Sequence, residues 1–401
     1  MSQTHYAIIG GGINGLSVAR QILLDHPHAK VVLFEKEARV AAHQTSHNSG
    51  VVHAGLYYEP GSLKATLCRR GVELMRDYCM QNQLPYDQCG KVVVALQPEE
   101  EGRLEKIYQR SLANGVQGVR MLSGQDIAKV EPNCIGISAL HSPETAIVSY
   151  QKIAERIAEE ITFRGGSILL SQQIHAVHQT PNGIQIEYSD GKIHPQRFDH
   201  AISCCGLQSD RLVQRSGGDS APKIIPFFGQ YYVLDSAVKN EVKGLIYPVP
   251  DPKFPFLGVH FTKRIDGEMT IGPNAFISFD RESYDAHKLN FKDMFDYLSY
   301  PGFWKFALKN AKATVRESKT VLSPQYFLRE AAKYVPKLSQ AKIYPATRGI
   351  RAQAMSKSGK LEDDFVIRKE GNITHIRNAP SPGATSSLAI AEYIVREVMA
   401  Q

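Results

Sequence analysis

An apolar strand, Tyr6 to Ile9, runs straight into Gly10, Gly12 and Gly15, spaced G-x-G-x-x-G. A helical stretch follows, and a second apolar strand, Val31 to Phe34, ends in Glu35 and Lys36. This order of elements constrains the fold more than any other feature of the chain. Gly10 permits a tight turn, Gly12 lets backbone approach a pyrophosphate, and Gly15 lets helix pack close to strand. The start of the helix then offers unpaired N–H groups and the positive end of its dipole to an anion. Glu35 stands about twenty residues past Gly15, where an acid accepts hydrogen bonds from a ribose diol. The segment therefore reads as a dinucleotide-binding unit opening an α/β fold, and its spacing alone does not separate FAD from NAD.

Length and composition set the class. With 401 residues, 43% hydrophobic and 22% charged, the chain can bury two domain cores. No apolar run approaches the ~18–20 residues of a bilayer span, and the opening lacks the regions of a signal peptide. The expected location is cytoplasmic, with peripheral attachment to the inner face of the cell membrane left open. Cys68, Cys79, Cys89, Cys134, Cys204 and Cys205 form no C-x-x-C, so neither a disulfide framework nor a metal site is expected. The adjacent Cys204 and Cys205 read as small buried residues rather than redox groups. The net charge of +7 is local: residues 301–340 hold eight basic side chains (Lys305, Lys309, Lys312, Arg316, Lys319, Arg329, Lys333, Lys337) against Glu317 and Glu330. No nucleic-acid module accompanies them, so no nucleic-acid partner is expected.

Along the chain, helices are predicted near 62–82, 98–114, 126–130 and 149–164. Strands are predicted at Gly90 to Leu96, Ser167 to Leu170 and Asp199 to Cys204, with a hairpin turning near Asn182-Gly183. From about 222 to 280 the sequence reads as an antiparallel meander: Ile224 to Phe228, Gln230 to Leu234, Leu245 to Tyr247, Leu257 to Phe261 and Met269 to Ile271. Residues 285–340 read as helical, and the last sixty as short strands with a closing helix from Ala384 to Met399. Nucleotide-type segments at 1–85, 141–220 and 341–401 would alternate with substrate-domain segments at 86–140 and 221–340.

Long blocks of the sequence resemble one family. They are the run from His43 to Tyr58, Tyr247 to Pro252, Gly258 to Thr262, Gly349 to Ala354 and Asn378 to Pro382. The chain is similar to the FAD-dependent D-amino-acid oxidase/glycerol-3-phosphate dehydrogenase superfamily, and within it to the L-2-hydroxyglutarate oxidases and dehydrogenases. The resemblance implies FAD, a Rossmann-type FAD-binding domain with an inserted α+β substrate domain on an antiparallel sheet, and oxidation of (S)-2-hydroxyglutarate to 2-oxoglutarate. It departs from the family pattern at Phe228 and Gln230, where the family carries Arg and Glu, and at Gly383, where alanine is more usual. Loss of the Arg–Glu pair reads either as a compensated packing change or as a change in substrate recognition.

The chemistry asks for specific groups. Oxidation sends the C2 hydrogen to the flavin as hydride and releases a hydroxyl proton, which a neutral histidine can take. Two carboxylates call for cationic clamps, and arginine pairs with them in bidentate fashion. Catalytic candidates are His53, His260 and Arg351, with Tyr57, Tyr58, Lys64 and Gln353 as substrate contacts. Either histidine can be the base. For the flavin, the resemblance and the turn chemistry point to Gly10, Gly12, Gly15, Glu35, Lys36, Thr45, Ser46, His47, Asn48, Ser49, Gly206, Gly383, Ala384, Thr385 and Ser386, the last four opening the final helix. The Pro301 to Lys309 stretch, with Phe303, Trp304 and Phe306 beside lysines, suits either an anionic membrane surface, with a quinone as electron acceptor, or a charged outer helix face. An amine or amino-acid dehydrogenase of the same fold is the alternative function.

Overall fold

The computed structural model describes residues 3–252, 258–285, 288–310 and 323–399. The opening strand His5–Ile9 lies inside a six-stranded sheet ordered Val366–Glu370, Ile373–Asn378, His200–Ser203, His5–Ile9, Lys30–Phe34, Ser167–Leu169. Neighbours run parallel from Ile373–Asn378 to Ser167–Leu169, and only Val366–Glu370 runs back. A parallel sheet needs crossovers and cover on both faces. Alternation along His5–Ile9 sends Tyr6 and Ile8 to one face and Ala7 and Ile9 to the other. Helices Ile13–Asp25, Leu63–Gln81, Tyr150–Phe163 and Ser387–Tyr393 cover the first face with Leu16, Met75, Ile153 and Ile390. The hairpin of Ile174–Thr180 and Gly183–Tyr188, with helix Ser209–Arg215, covers the second around Val177, Phe198 and Leu212.

The turn after His5–Ile9 is close-packed as well as tight. Gly10 has φ +110°, and a Cβ there would lie 2.5 Å from the Cys204 carbonyl oxygen. A Cβ on Gly15 would overlap the Gly10 carbonyl oxygen. Both positions therefore need glycine, one for conformation and one for space.

A nine-stranded sheet forms the other half. Its order is Phe276–Ile277, Lys223–Leu234, Met269–Gly272, His260–Lys263, Leu245–Pro248, Lys91–Ala95, Ser138–Ser142, Arg120–Ser123, and Ile343–Met355 also pairs with Lys223–Leu234. Leu245–Pro248 runs parallel to Lys91–Ala95, so the expected antiparallel meander is part of a mixed sheet. The predicted break at Gly229 is absent: Lys223–Leu234 is one strand of 12 residues. Gly229 serves close approach instead, since a Cβ there would press on Pro273 at 3.0 Å and on the Asn274 carbonyl oxygen at 3.3 Å. Ile343–Met355, expected in the last nucleotide-binding segment, belongs to this sheet, and the chain returns to the first sheet at Val366–Glu370. Leu257, the expected start of a strand, lies outside the described residues, as do Lys312, Arg316, Glu317 and Lys319.

The final helix also differs from expectation. Residues 381–386 are turns, with the Gly383 N–H on the Pro380 carbonyl and the Ser386 N–H on the Pro382 carbonyl. Regular α-helix runs only over Ser387–Tyr393 and passes into π-type turns at Ile394–Val398. This turn is seated by Gly71, where a Cβ would collide with the Thr385 carbonyl oxygen. Gly71→Ala gains about 1 kcal/mol of helix propensity, and forcing backbone apart costs about 1–3 kcal/mol. The expected net result is a loss of up to about 2 kcal/mol in urea unfolding, with weaker retention of ligand at the 383–385 turn. An unchanged midpoint would show that the turn yields freely.

Candidate active site

A cavity of about 1360 Å³ draws its walls from both sheets. At the nucleotide end it is lined by Gly10, Gly12, Ile13, Asn14, Glu35, Lys36 and Cys204 to Gly206. Helix Ile13–Asp25 has no side-chain cap at Gly12 and no acid in its first turn, so none of its own side chains offsets the positive end at the cavity. Glu35 is buried. One carboxylate oxygen accepts the Gly11 N–H at 2.6 Å and the other the Glu37 N–H at 2.9 Å, which fixes the carboxylate in the wall. Lys36 pairs with Glu37 (2.9 Å) and Glu282 (2.8 Å). Gly206, at φ +49°, sits against Gln44, whose Oε1 a Cβ would approach to 2.7 Å.

The polar loop 43–49 holds itself together before it can hold anything else. The Thr45 hydroxyl accepts the Ile13 N–H at 3.0 Å, tying the loop to the helix start. Asn48 donates to the Gln44 (3.0 Å) and Thr45 (2.7 Å) carbonyls and accepts from the Gly50 N–H (2.8 Å). The Ser49 hydroxyl accepts the Val51 N–H at 3.4 Å. His47 stacks on Tyr284, with centroids 3.5 Å apart, and its Nδ1 lies 3.2 Å from the Arg348 carbonyl oxygen. Thr45, His47, Asn48 and Ser49 line the cavity. Gly15, Ser46 and Ser386 do not. Gly15 is spent on packing against Gly10, Ser46 donates to the Ala41 carbonyl, and the Ser386 hydroxyl is buried beneath the turn. Gly383, Ala384 and Thr385 complete the wall.

Thr385 ties three segments together. Its hydroxyl oxygen accepts the His53 N–H (3.1 Å), lies 2.9 Å from the Tyr150 hydroxyl and 3.4 Å from the Val51 carbonyl oxygen. His53 is thereby fixed to the end of the chain. Its Nε2 is 3.3 Å from the Ser381 hydroxyl. His260 is buried on strand His260–Lys263, with Nδ1 2.8 Å from the Gly258 carbonyl oxygen and its ring 4.0 Å from the Tyr247 ring. Burial, aided by the charges of Lys91, Lys64 and Arg351, pushes His53 down to about 3. Burial likewise takes His260 down to about 3. Both imidazoles are neutral at physiological pH. Because a carbonyl only accepts, the His260 proton sits on Nδ1, and Nε2 carries a lone pair.

Arg351 lies in the cavity wall on Ile343–Met355, opposite Phe227 in register. Gln353, two residues on, also lines the cavity and donates to the Glu362 carbonyl at 3.1 Å. Lys64 donates to the Asp363 backbone (2.7 Å) and carboxylate (2.9 Å) and lies 5.1 Å above the Tyr58 ring. Tyr57, Tyr58 and Lys64 all line the cavity. Phe228 and Gln230 do not. Phe228 is buried with Leu207, Ile224 and Ile350, and the Arg348 guanidinium lies 5.6 Å from its ring. Arg348 also donates to Gln230 at 2.6 Å. An arginine on the neighbouring strand thus serves both departing positions, and the geometry is that of packing.

Sequence reading missed Tyr231, Tyr247 and Lys91. The two tyrosines line the cavity. Lys91 lies behind it, 5.0 Å from the Tyr57 ring and 4.8 Å from the Tyr247 ring. A lysine heading the run Val92 to Ala95 was the available signal, since a charge inside a fully buried strand is rare.

Comparison with known proteins gives concordant results. A family model described as DAO, FAD dependent oxidoreductase, matches residues 5–397. The chain is 42% identical to the mitochondrial L-2-hydroxyglutarate dehydrogenase of Bos taurus, over 98% of this chain and 88% of that one. It is also 42% identical to the L-2-hydroxyglutarate dehydrogenase of Indibacter alkaliphilus, over 96% of each. Among solved structures, dithionite-reduced L-alpha-glycerophosphate oxidase from Mycoplasma pneumoniae with FAD bound has the same fold. The TM-score is 0.77 at 21% identity, covering 100% of this chain and 96% of that one.

The walls fit FAD. The cavity exceeds the roughly 300–1,000 Å³ of ordinary small-ligand sites. Around Gly12 a Cβ would meet only the Thr45 hydroxyl, at 3.4 Å, so the turn presents bare backbone. Thr385→Val should leave the His53 N–H without its acceptor, while the Tyr150 hydroxyl keeps the Val51 carbonyl at 2.9 Å, and cost about 1–3 kcal/mol. Thr385→Ser should recover most of that loss, measured by urea unfolding of the flavin-loaded protein. Equal stability of the valine and serine variants would exclude the threonine hydroxyl as the tie.

Proposed function

The chain belongs to the FAD-dependent oxidoreductase (DAO) family and, within it, to the L-2-hydroxyglutarate dehydrogenases, and we propose that it oxidises (S)-2-hydroxyglutarate to 2-oxoglutarate. The observation that carries this reading is that two neutral histidines, the buried His260 and the half-buried His53, line the same cavity as Arg351. Gly10, Gly12, Glu35, Lys36, Thr45, His47, Asn48, Ser49, Gly206 and Gly383 to Thr385 would hold FAD. When bound, FAD supplies the acceptor for the hydride leaving C2.

The chain's own groups do the rest. Arg351 pairs with one substrate carboxylate, and Tyr57, Tyr58, Lys64 and Gln353 surround the remainder. His260 takes the hydroxyl proton on Nε2, because its Nδ1–H is committed to the Gly258 carbonyl. The bound dianion raises the basicity of this imidazole, offsetting the effect of burial. His53 stands beside the Ser381 hydroxyl and orients the substrate alcohol.

A second proposal concerns where the electrons go. Helices Phe291–Leu298 and Pro301–Lys309 expose Phe291 (77%), Phe295 (75%), Trp304 (53%) and Leu308 (79%). Each pair is spaced by four residues and so shares a helix face. Exposed Lys288, Lys292, Lys305 and Lys309 lie within three residues of these side chains along the chain, and Lys288 and Lys292 also line the cavity. The combination suits an anionic bilayer surface, and a bilayer-dissolved quinone would then reach the cavity. No described helix is long and apolar enough to cross a membrane. Arg329 is exposed as well, while Lys333 pairs with Glu330 and Lys337 with Glu241.

Anaerobic titration tests the reaction. (S)-2-Hydroxyglutarate should bleach the flavin, while its enantiomer and a panel of amino acids should not; bleaching by amino acids alone would assign the alternative amine chemistry. His260→Ala should slow bleaching by about 10²–10⁴-fold with FAD retained. Separately, the protein should co-sediment with anionic vesicles at low salt, and Phe291→Ser combined with Phe295→Ser should abolish this. Absence of wild-type binding would reject the membrane surface.

A further inference from the structure

Lys91 heads the strand Lys91–Ala95 and is only 1% exposed. Its Nζ has no hydrogen-bond partner among the described residues. A buried ammonium without a carboxylate is costly, and such a group calls for an anion that arrives from outside the fold. The two rings that enclose it, Tyr57 and Tyr247, are themselves cavity wall. The Tyr57 hydroxyl is also without a partner among the described residues, and the Tyr247 ring packs at a tilt against His260. We propose that Lys91 is the buried counter-charge of the substrate pocket, a positioning residue that acts through Tyr57 and Tyr247 to favour dianionic over monoanionic hydroxy acids. This deepens the reading of the site as a 2-hydroxyglutarate pocket and rests on it.

Cation–π contact holds the two rings as one wall. Coulomb attraction falls only inversely with distance in a dry interior, so the ammonium reaches an anion across the rings without touching it. Its charge already acts on His53 and His260. Among the described residues, the groups facing it are His53 and Tyr57 from the loop, Cys68 from helix Leu63–Gln81, and Tyr247 and His260 from neighbouring strands, and none of these is a carboxylate. Burial pushes the amine down to about 7. In the empty pocket it is therefore partly neutral near pH 7, and an arriving dianion restores its proton.

The test uses the FAD-loaded protein and two unreactive anions, glutarate and butyrate, followed by the flavin absorbance change. Wild type should bind glutarate more tightly, with Kd rising as pH goes from about 6 to 8. Lys91→Met should weaken glutarate by about tenfold or more and butyrate by less than about threefold, flatten the pH dependence, and leave FAD content unchanged. Lys91→Arg should restore the preference for glutarate. Equal weakening of both anions, or an unchanged glutarate Kd, would overturn the proposal. If Lys91→Met does not fold, a pH-independent glutarate Kd in wild type would overturn it equally, and a pH-dependent one would support it. Failure of (S)-2-hydroxyglutarate to bleach wild type would instead remove the reaction on which it rests.

Discussion

Close backbone contact at the first turn governs the rest of this molecule. The Gly15 backbone lies against the Gly10 carbonyl, and Gly10 lies against the carbonyl of Cys204, so helix and two strands meet without side chains between them. That contact aims the start of helix Ile13–Asp25 into the cavity and puts Cys204 to Gly206 in its wall. The same device recurs at Gly71, which lets the turn carrying Thr385 settle onto helix Leu63–Gln81. Thr385 then fixes the backbone of His53. A dinucleotide site and a reaction site are thus joined through backbone contacts that any side chain would break.

Charge is arranged as deliberately as space. Burial keeps His53 and His260 neutral, while Arg351 in the wall, Lys64 held by Asp363 and the partly neutral Lys91 lend the region positive potential. Neutral bases beside fixed cations are what an anionic alcohol requires, since the cations attract the carboxylates and the imidazole remains free to accept a proton. Elsewhere buried charge has a structural use. Arg281, wholly buried, makes paired bonds to Asp210 of helix Ser209–Arg215 and one to the Ile224 carbonyl of strand Lys223–Leu234. Asp210 also accepts the Ile224 N–H. Arg281, which also pairs with Asp296 at 2.8 Å, thereby links the helix that covers the first sheet to strand Lys223–Leu234 of the second, and its loss would leave the buried Asp210 carboxylate without its cation.

The first strand–helix–strand unit was legible almost residue by residue, because glycine spacing and apolar runs act locally. So were helix Leu63–Gln81 and the hairpin at Asn182-Gly183. Gly229 misled because glycine has two physical uses, turning and close approach, and sequence does not say which neighbour approaches. The parallel placement of Leu245–Pro248 beside Lys91–Ala95 was not readable either, since apolar periodicity carries no direction. Ser46 read as a cofactor donor from its hydroxyl, yet that hydroxyl goes to the Ala41 carbonyl and the residue does not line the cavity, whereas Asn48 lines the cavity while its amide also braces the loop's backbone. Lys91 passed unnoticed because its significance lies in what surrounds it, two tyrosines distant in sequence.

What the sequence settled alone was local: a nucleotide-binding turn, an acid twenty residues beyond it, and a set of residue types suited to proton and carboxylate chemistry. These depend on short-range sterics and periodicity, which neighbouring residues carry by themselves. Tertiary structure alone decided which of those residues face one cavity, which histidine nitrogen keeps its lone pair, and that a lysine is buried with no anion beside it among the described residues. Those properties arise from burial and from contacts across long stretches of chain, and no local pattern encodes them.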